Sequence, residues 1–142
     1  MTKTEILEAI NKNPAFFLAT CEDNQPHVRG MLLNKADENG IFFHTGDFKQ
    51  VYSQIMKNPN VELCFNCQGT QIRISGKLEL VDDNNLKDEI YNHPSRKFIR
   101  DWKDKNLFKD FYKELIVFVL KNGRATTWTM ADNFSEKTYI QL

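Results

Sequence analysis

Four polar residues stand among apolar neighbours in the first half of this chain: Arg29, Thr45, Lys49 and Gln71. That combination suggests a barrel-like sheet with an anion-binding loop at one end. Arg29 lies in a strand-like run, His27-Val28-Arg29-Gly30-Met31-Leu32-Leu33, where alternate residues share a face. An arginine there is either an ordinary solvated strand residue or a planar fork that grips a phosphate with two hydrogen bonds. Gly30 beside it carries no side chain and lets a ligand approach the backbone. Thr45 and Lys49 flank the loop Gly46-Asp47-Phe48 ahead of a helical pattern, where free backbone N–H groups favour an anion. Gln71 offers an amide donor and acceptor, which suits the heteroatom edge of a ring.

Other chemistries find less support. Cys64-Phe65-Asn66-Cys67 has C-x-x-C spacing, but it falls at a strand end running into a turn, not at the helix start that activates a redox thiol. Zinc needs two further ligands, and neither Cys21 nor any of His27, His44 and His93 pairs with it at ligand spacing. No metal site is expected. The three histidines form no triad pattern, and no nucleophile elbow, P-loop or dinucleotide fingerprint is present. Tyr52, His27 and His44 are weak candidates for proton delivery. Trp102 and Trp128 read as core or interface anchors, with Trp128 alternatively stacking on a bound ring.

These residues need elements to position them. Thr2 to Glu5 has capping-box spacing, and Ile6, Leu7 and Ile10 form the stripe of a short helix ending near Asn13-Pro14. Strands are expected from Phe16 to Cys21, from Pro26 to about Lys35, and from Ile41 to Thr45. Glu22 to Gln25 makes the first turn. Asn39-Gly40 should supply the positive φ angles of the second. Asp47 is expected to cap a helix from Phe48 to Lys57, ended by Asn58-Pro59-Asn60. Val61 to Phe65 and Thr70 to Val81 read as strands around a turn at Cys67-Gln68-Gly69. Asp82-Asp83 opens a helical region over Asn84 to Asn92, interrupted at Pro94 and resuming to Leu115. Arg96, Lys97, Arg100, Lys103, Lys105 and Lys109 in it read as a mixed-sign solvated surface. Ile116 to Leu120 and Arg124 to Met130 are further strands, and Lys137 to Leu142 a last edge strand. Close-set short strands with hairpin turns give a mainly β fold: an antiparallel barrel or sandwich with peripheral helices.

The 142 residues fit one domain spanning 1–142, with eleven Phe to pack its core. Lysine plus arginine equals aspartate plus glutamate, 19 against 19, so no long-range field draws in nucleic acid or an anionic membrane. The polar N-terminus does not read as a signal peptide, and the apolar run Leu115 to Leu120 is far short of a membrane span. Three cysteines in such a chain are expected to be free thiols in a reducing cytoplasm.

From about Phe16 to Leu80 the chain resembles the pyridoxamine 5'-phosphate oxidase-like, FMN-binding split-barrel family. Arg29-Gly30-Met31-Leu32-Leu33 is similar to the family strand that runs along the flavin. His44-Thr45 matches its aromatic-Thr pair, and Lys49 is the nearest match to its phosphate-binding basic residue. Gln71 precedes Ile72-Arg73-Ile74-Ser75-Gly76-Lys77 as the family glutamine precedes V-x-x-x-G-K, and Asn58-Pro59-Asn60-Val61 matches its helix-to-strand join. The resemblance implies a six-stranded antiparallel Greek-key split barrel, homodimeric, with FMN at the subunit interface. It further implies that Arg29 and Lys49 hold the phosphate, Thr45 donates a hydroxyl, the Arg29–Leu33 backbone lines the ring, and Gln71 touches the ring or ribityl chain. The arginine-histidine segment with which the vitamin-making oxidases hold their substrate is not recognisable in Asn122 to Leu142. The chain looks closer to the small general-stress and nitroimidazole-resistance branch. The expected activity is electron or hydride transfer to a small organic molecule; the alternative is a flavin- or haem-binding module without catalysis. A single-strand nucleic-acid barrel is a third reading, disfavoured by zero net charge.

Overall fold

The computed structural model describes all 142 residues. Helix α1 (Lys3–Lys12) opens the chain with the expected capping box: Thr2 Oγ1 accepts from Glu5 N–H, and the Glu5 carboxylate accepts from Thr2 N–H. Strands β1 (Ala15–Glu22), β2 (Gln25–Asp37) and β3 (Gly40–Gly46) follow as two hairpins. Helix α2 (Gln50–Lys57) then returns the chain to β4 (Asn60–Cys67), which pairs with β1. The spatial order β4-β1-β2-β3 is that of a Greek key. Strand β5 (Thr70–Val81) pairs with β4, and β6 (Leu115–Leu120) lies between β3 and β5. Six antiparallel strands therefore close in the cycle β1-β2-β3-β6-β5-β4. Two short strands, β7 (Arg124–Trp128) and β8 (Ile140–Gln141), extend the sheet beside the first half of β5.

Two long strands are shared between the halves of the barrel. Residues 25–32 of β2 pair with β1, and residues 33–37 pair with β3, with a register shift between Leu33 and Lys35. Bulges bend a strand and let it serve two sheets. In the same way β5 gives residues 70–77 to β4 and residues 78–81 to β6.

Period-two alternation decides what is buried. Phe16, Leu18, Phe43, Leu63, Phe65, Ile72, Ile74 and Phe118 point inward, with α1 adding Ile6 and Ile10. Phe16 stacks on Phe65 with ring centroids 4.9 Å apart and meets the edge of Phe43 at 5.4 Å. The continuous apolar runs of β3 and β6 have a different cause. Their outward residues, Phe42, Val117 and Val119, are covered by α3 (Asn84–Asn92) and α4 (Lys97–Asp104) through Leu86, Ile90 and Ile99. Phe111, in the one-turn helix α5 (Phe111–Glu114), completes that second cluster.

Three local expectations are corrected. Asp47 does not cap α2: the helix starts three residues later, with Lys49 in the cap position and no side-chain cap. The second hairpin turns on Glu38 and Asn39, and the positive φ falls on Gly40 alone, at +136°. A Cβ there would stand 2.6 Å from Val119 Cγ2, so glycine is required by both φ and space. The helical region does not run unbroken to Leu115 but is interrupted between α4 and the one-turn α5. It breaks after α4, where Asn106 adopts a positive φ of 58°, Leu107 N–H donates to Trp102 O, and Asn106 N–H donates to Lys103 O. This is the Schellman pattern of helix termination, with asparagine doing what glycine commonly does. At the ends, β7 stops at Trp128, and the last strand is only Ile140–Gln141. No helix is long and apolar enough to cross a membrane.

Candidate functional site

A cleft of about 890 Å³ opens where β1, β2 and β3 meet the start of α2 and the end of α4. It is large enough for a cofactor-sized molecule. Arg29, Gly30, Met31 and Leu32 of β2 line it, together with His44, Thr45 and Lys49. Residues read separately from the sequence thus converge because β2 and β3 are hairpin partners. Leu33 and Gln71 do not line it. Leu33 is buried in the barrel core. Gln71 lies on β5 opposite Trp128, whose indole N–H donates to Asn133 Oδ1 at 3.1 Å.

The cleft carries several hydrogen-bond donors. The Arg29 guanidinium donates from Nη1 to Thr20 Oγ1 at 2.8 Å and to Leu18 O at 3.3 Å, and from Nη2 to Gln54 Oε1. Thr20 itself donates to Gln54 Oε1 at 2.7 Å. These bonds fix the fork and leave Nε–H and one Nη2–H uncommitted. No carboxylate pairs with Arg29, and desolvation pulls its guanidinium below the ordinary arginine range. Thr45 is buried on the inward face of β3, and Lys49 is exposed at the start of α2. The first turn of α2 has neither a side-chain cap nor an acidic residue. Its N–H groups therefore carry the uncompensated positive end of the helix.

Much of the lining is apolar. Phe16, Phe17, Met31 and Leu32 line it together with the aromatic group Phe98, Trp102 and Phe108. Phe98 and Trp102 meet edge to face at 5.1 Å, and Trp102 and Phe108 are 6.4 Å apart. Sequence reasoning took Trp102 only for an anchor and missed Phe98 and Phe108. The helical spacing of Phe98 and Trp102 was the available signal.

His44 sits on the outward face of β3 under α4, its ring 6.3 Å from that of Phe98. Its Nε2 accepts from Arg96 Nε–H at 3.1 Å. Burial first, then the nearby cations Arg96 and Lys49, push the imidazolium down to about 4. Arg96 also corrects an expectation. It is not part of a solvated surface but only 3% exposed, in the 3-10 turn Pro94–Arg96.

Cys64 lines the cleft, whereas Cys67 is turned into the barrel core. The two thiols project from opposite faces of β4, and desolvation raises both above the ordinary range. No group of three or more His, Cys, Asp or Glu side chains gathers as a metal cluster.

A phosphorylated ring compound fits this arrangement. Arg29 without a counter-ion, Lys49 and the uncapped helix start suit a phosphate, and the strand wall at Gly30 to Leu32 suits a flat ring.

Known proteins share the sequence pattern and the fold. Residues 2–129 match the sequence profile of the family described as pyridoxamine 5'-phosphate oxidase. A pyridoxine/pyridoxamine 5'-phosphate oxidase of Psychrobacter cryohalolentis is 40% identical over 80 residues, covering 54% of this chain and 37% of that one. That of Ehrlichia ruminantium is 34% identical over 96 residues, covering 65% and 49%. The chain thus spans half or less of the length of these curated relatives. Among solved structures, a NimC/NimA family protein of Clostridium acetobutylicum superposes with a TM-score of 0.74 at 22% identity, covering 98% of this chain and 92% of that one. A pyridoxamine 5'-phosphate oxidase-related, FMN-binding protein of Nostoc punctiforme gives 0.65 at 17%, covering 99% and 95%. At such identities these two likenesses show the fold.

Proposed function

The chain belongs to the pyridoxamine 5'-phosphate oxidase family, and from that premise we propose that it binds FMN and passes electrons or hydride between a reduced donor and a small organic acceptor. One observation carries the reading. Arg29, Thr45, Lys49 and the uncapped start of α2 all line one cleft, together with the β2 strand from Gly30 to Leu32.

FMN, when bound, supplies the redox chemistry. The protein supplies binding and surroundings. Arg29 and Lys49 hold the phosphate, with Thr45 adding a hydroxyl at the cleft floor. Thr20 and Gln54 orient Arg29 from behind. Gly30 leaves the strand backbone bare, with nothing within 4 Å of the Cβ position, so a ring can lie against it. Phe98, Trp102 and Phe108 exclude water and offer aromatic faces to a planar acceptor. Gln71 and Trp128 are proposed to reach flavin only across a subunit interface.

A homodimer completes the site in this reading. Phe17 is 60% exposed and Val28 69% exposed on neighbouring strands beside the cleft. A two-fold partner covering that face would close the second side of the ring.

Anaerobic reduction of the FMN-loaded protein by NADH or NADPH, followed by addition of a nitroaromatic or quinone, separates the enzyme from its alternative. Rapid reduction and reoxidation by the acceptor fit an oxidoreductase. Bound flavin that no donor reduces fits a non-catalytic flavin-binding module.

A further inference from the structure

Arg96 is nearly fully enclosed, yet no carboxylate pairs with it. Its guanidinium instead meets three neutral acceptors. Nε–H donates to His44 Nε2 at 3.1 Å, Nη2–H to Leu33 O at 2.9 Å, and Nη1–H to Ser95 Oγ at 2.6 Å. Two of these acceptors belong to the strands that build the cleft: Leu33 follows Leu32 on β2, and His44 precedes Thr45 on β3. We infer that Arg96 is a positioning residue for the cleft, holding His44 so that its Nε2 accepts and its Nδ1–H faces the bound ligand.

Proton counting supports this. Arginine does not give up its proton in a protein, so the ring nitrogen it faces must present a lone pair. A neutral imidazole has one N–H, which is then on Nδ1. Nδ1 makes no hydrogen bond within the chain, and the one enclosed side-chain polar atom without a hydrogen-bond partner lies elsewhere, at Arg73 Nε. Nδ1 is therefore open, on a residue that lines the cleft. The charged groups acting on the ring are Arg96, from the 3-10 turn, and Lys49, from the start of α2. Both are cations, so a second proton on His44 is disfavoured across the neutral range. The neighbours on the other sides are apolar: Val117 on β6 and the Phe98 ring on α4.

His44 is then a hydrogen-bond donor of fixed direction, not a proton carrier. Its partner is an acceptor oxygen, on the phosphate, the ribityl chain or the ring carbonyls of the flavin. That last step rests on the FMN reading; the Arg96–His44 geometry does not.

The test uses the whole chain with imidazole nitrogens labelled, by two-bond nitrogen–proton NMR without ligand, and then FMN titration followed by flavin fluorescence. In the unaltered protein His44 should show one form, protonated at Nδ1 only, between about pH 5 and 8. Arg96→Met should shift the ring toward the Nε2–H form, move its titration upward toward the ordinary histidine value, and weaken FMN binding on the order of tenfold. Arg96→Lys should recover part of both. An Nε2–H form in the unaltered protein overturns the inference. So does an Arg96→Met protein that keeps the original tautomer and affinity. Should Arg96→Met not fold, the unaltered spectrum and Arg96→Lys decide in the same way. A protein that ignores FMN, yet shows the Arg96-dependent Nδ1–H form, removes the cofactor reading and leaves the positioning role standing.

Discussion

His44 Nε2 and Arg96 Nε lie 3.1 Å apart, although the residues are 52 positions apart in the chain. The bond joins the barrel to its covering helices at the lip of the cleft, and Arg96 fastens the same point to β2 through Leu33 O. Its consequences extend to stability as well as to ligand binding.

The His44 imidazolium is pushed from an ordinary 6.5 to about 4 in the folded chain. Between those values the unfolded chain binds more protons than the folded one, so stability rises with pH there. Full stability is present above about pH 6.5 and is lost as pH falls toward 4, by up to about 3 kcal/mol from this group. Urea unfolding across that range should show the slope, and His44→Gln should flatten it. Identical pH profiles for the two proteins would rule out the histidine as its source.

Gly30→Val separates binding from folding. No atom lies within 4 Å of the Cβ position, and valine favours a strand. The variant should unfold at the same urea concentration as the original, or slightly higher, while FMN affinity drops more than about tenfold as the side chain takes the ring's place. Unchanged FMN affinity would remove the strand wall from the site.

Replacing Arg29 and Lys49 together by alanine should abolish phosphate anchoring. Thr20 Oγ1 still donates to Gln54 Oε1 at 2.7 Å, so the fold keeps that interior bond. Each charged contact is worth about 1.5–3 kcal/mol, so FMN affinity should fall at least on the order of a hundredfold. Equilibrium dialysis with FMN and with riboflavin tests the cause. A loss equal for both ligands would place the effect away from the phosphate.

Phe17→Asp addresses the dimer. A charge on this 60% exposed, apolar strand face costs little in a monomer and much under a partner. Light scattering should show the original chain at twice the monomer mass and the variant at the monomer mass, with weaker FMN binding. A variant that stays dimeric would move the interface elsewhere.

Much of the barrel is legible in local pattern. Val61 to Phe65 and Thr70 to Val81 read as strands from the sequence and are strands, with Val61, Leu63, Phe65, Ile72 and Ile74 buried in alternation. Arg29, Gly30, Met31, Leu32, His44, Thr45 and Lys49 were all expected at the site and share one cleft. What escaped the reading depends on contacts between distant segments. Arg96 looks like any solvated helix charge until α4 folds over β3, because its acceptors are a backbone carbonyl 63 positions away and a histidine 52 positions away. Phe98 and Phe108 likewise acquire a role only when the Schellman turn at Asn106 bends the chain back. Asp47 carries the right chemistry for a cap, but the helix begins beyond its reach.

The function proposed for this chain depends on FMN binding in the cleft. The most direct test is the visible absorption spectrum of the freshly purified protein, before and after adding FMN, with any released pigment identified by mass. Flavin bands should persist through gel filtration at one FMN per chain, with FMN as the pigment released on denaturation. A colourless protein that also leaves added FMN in the small-molecule fraction would contradict FMN binding.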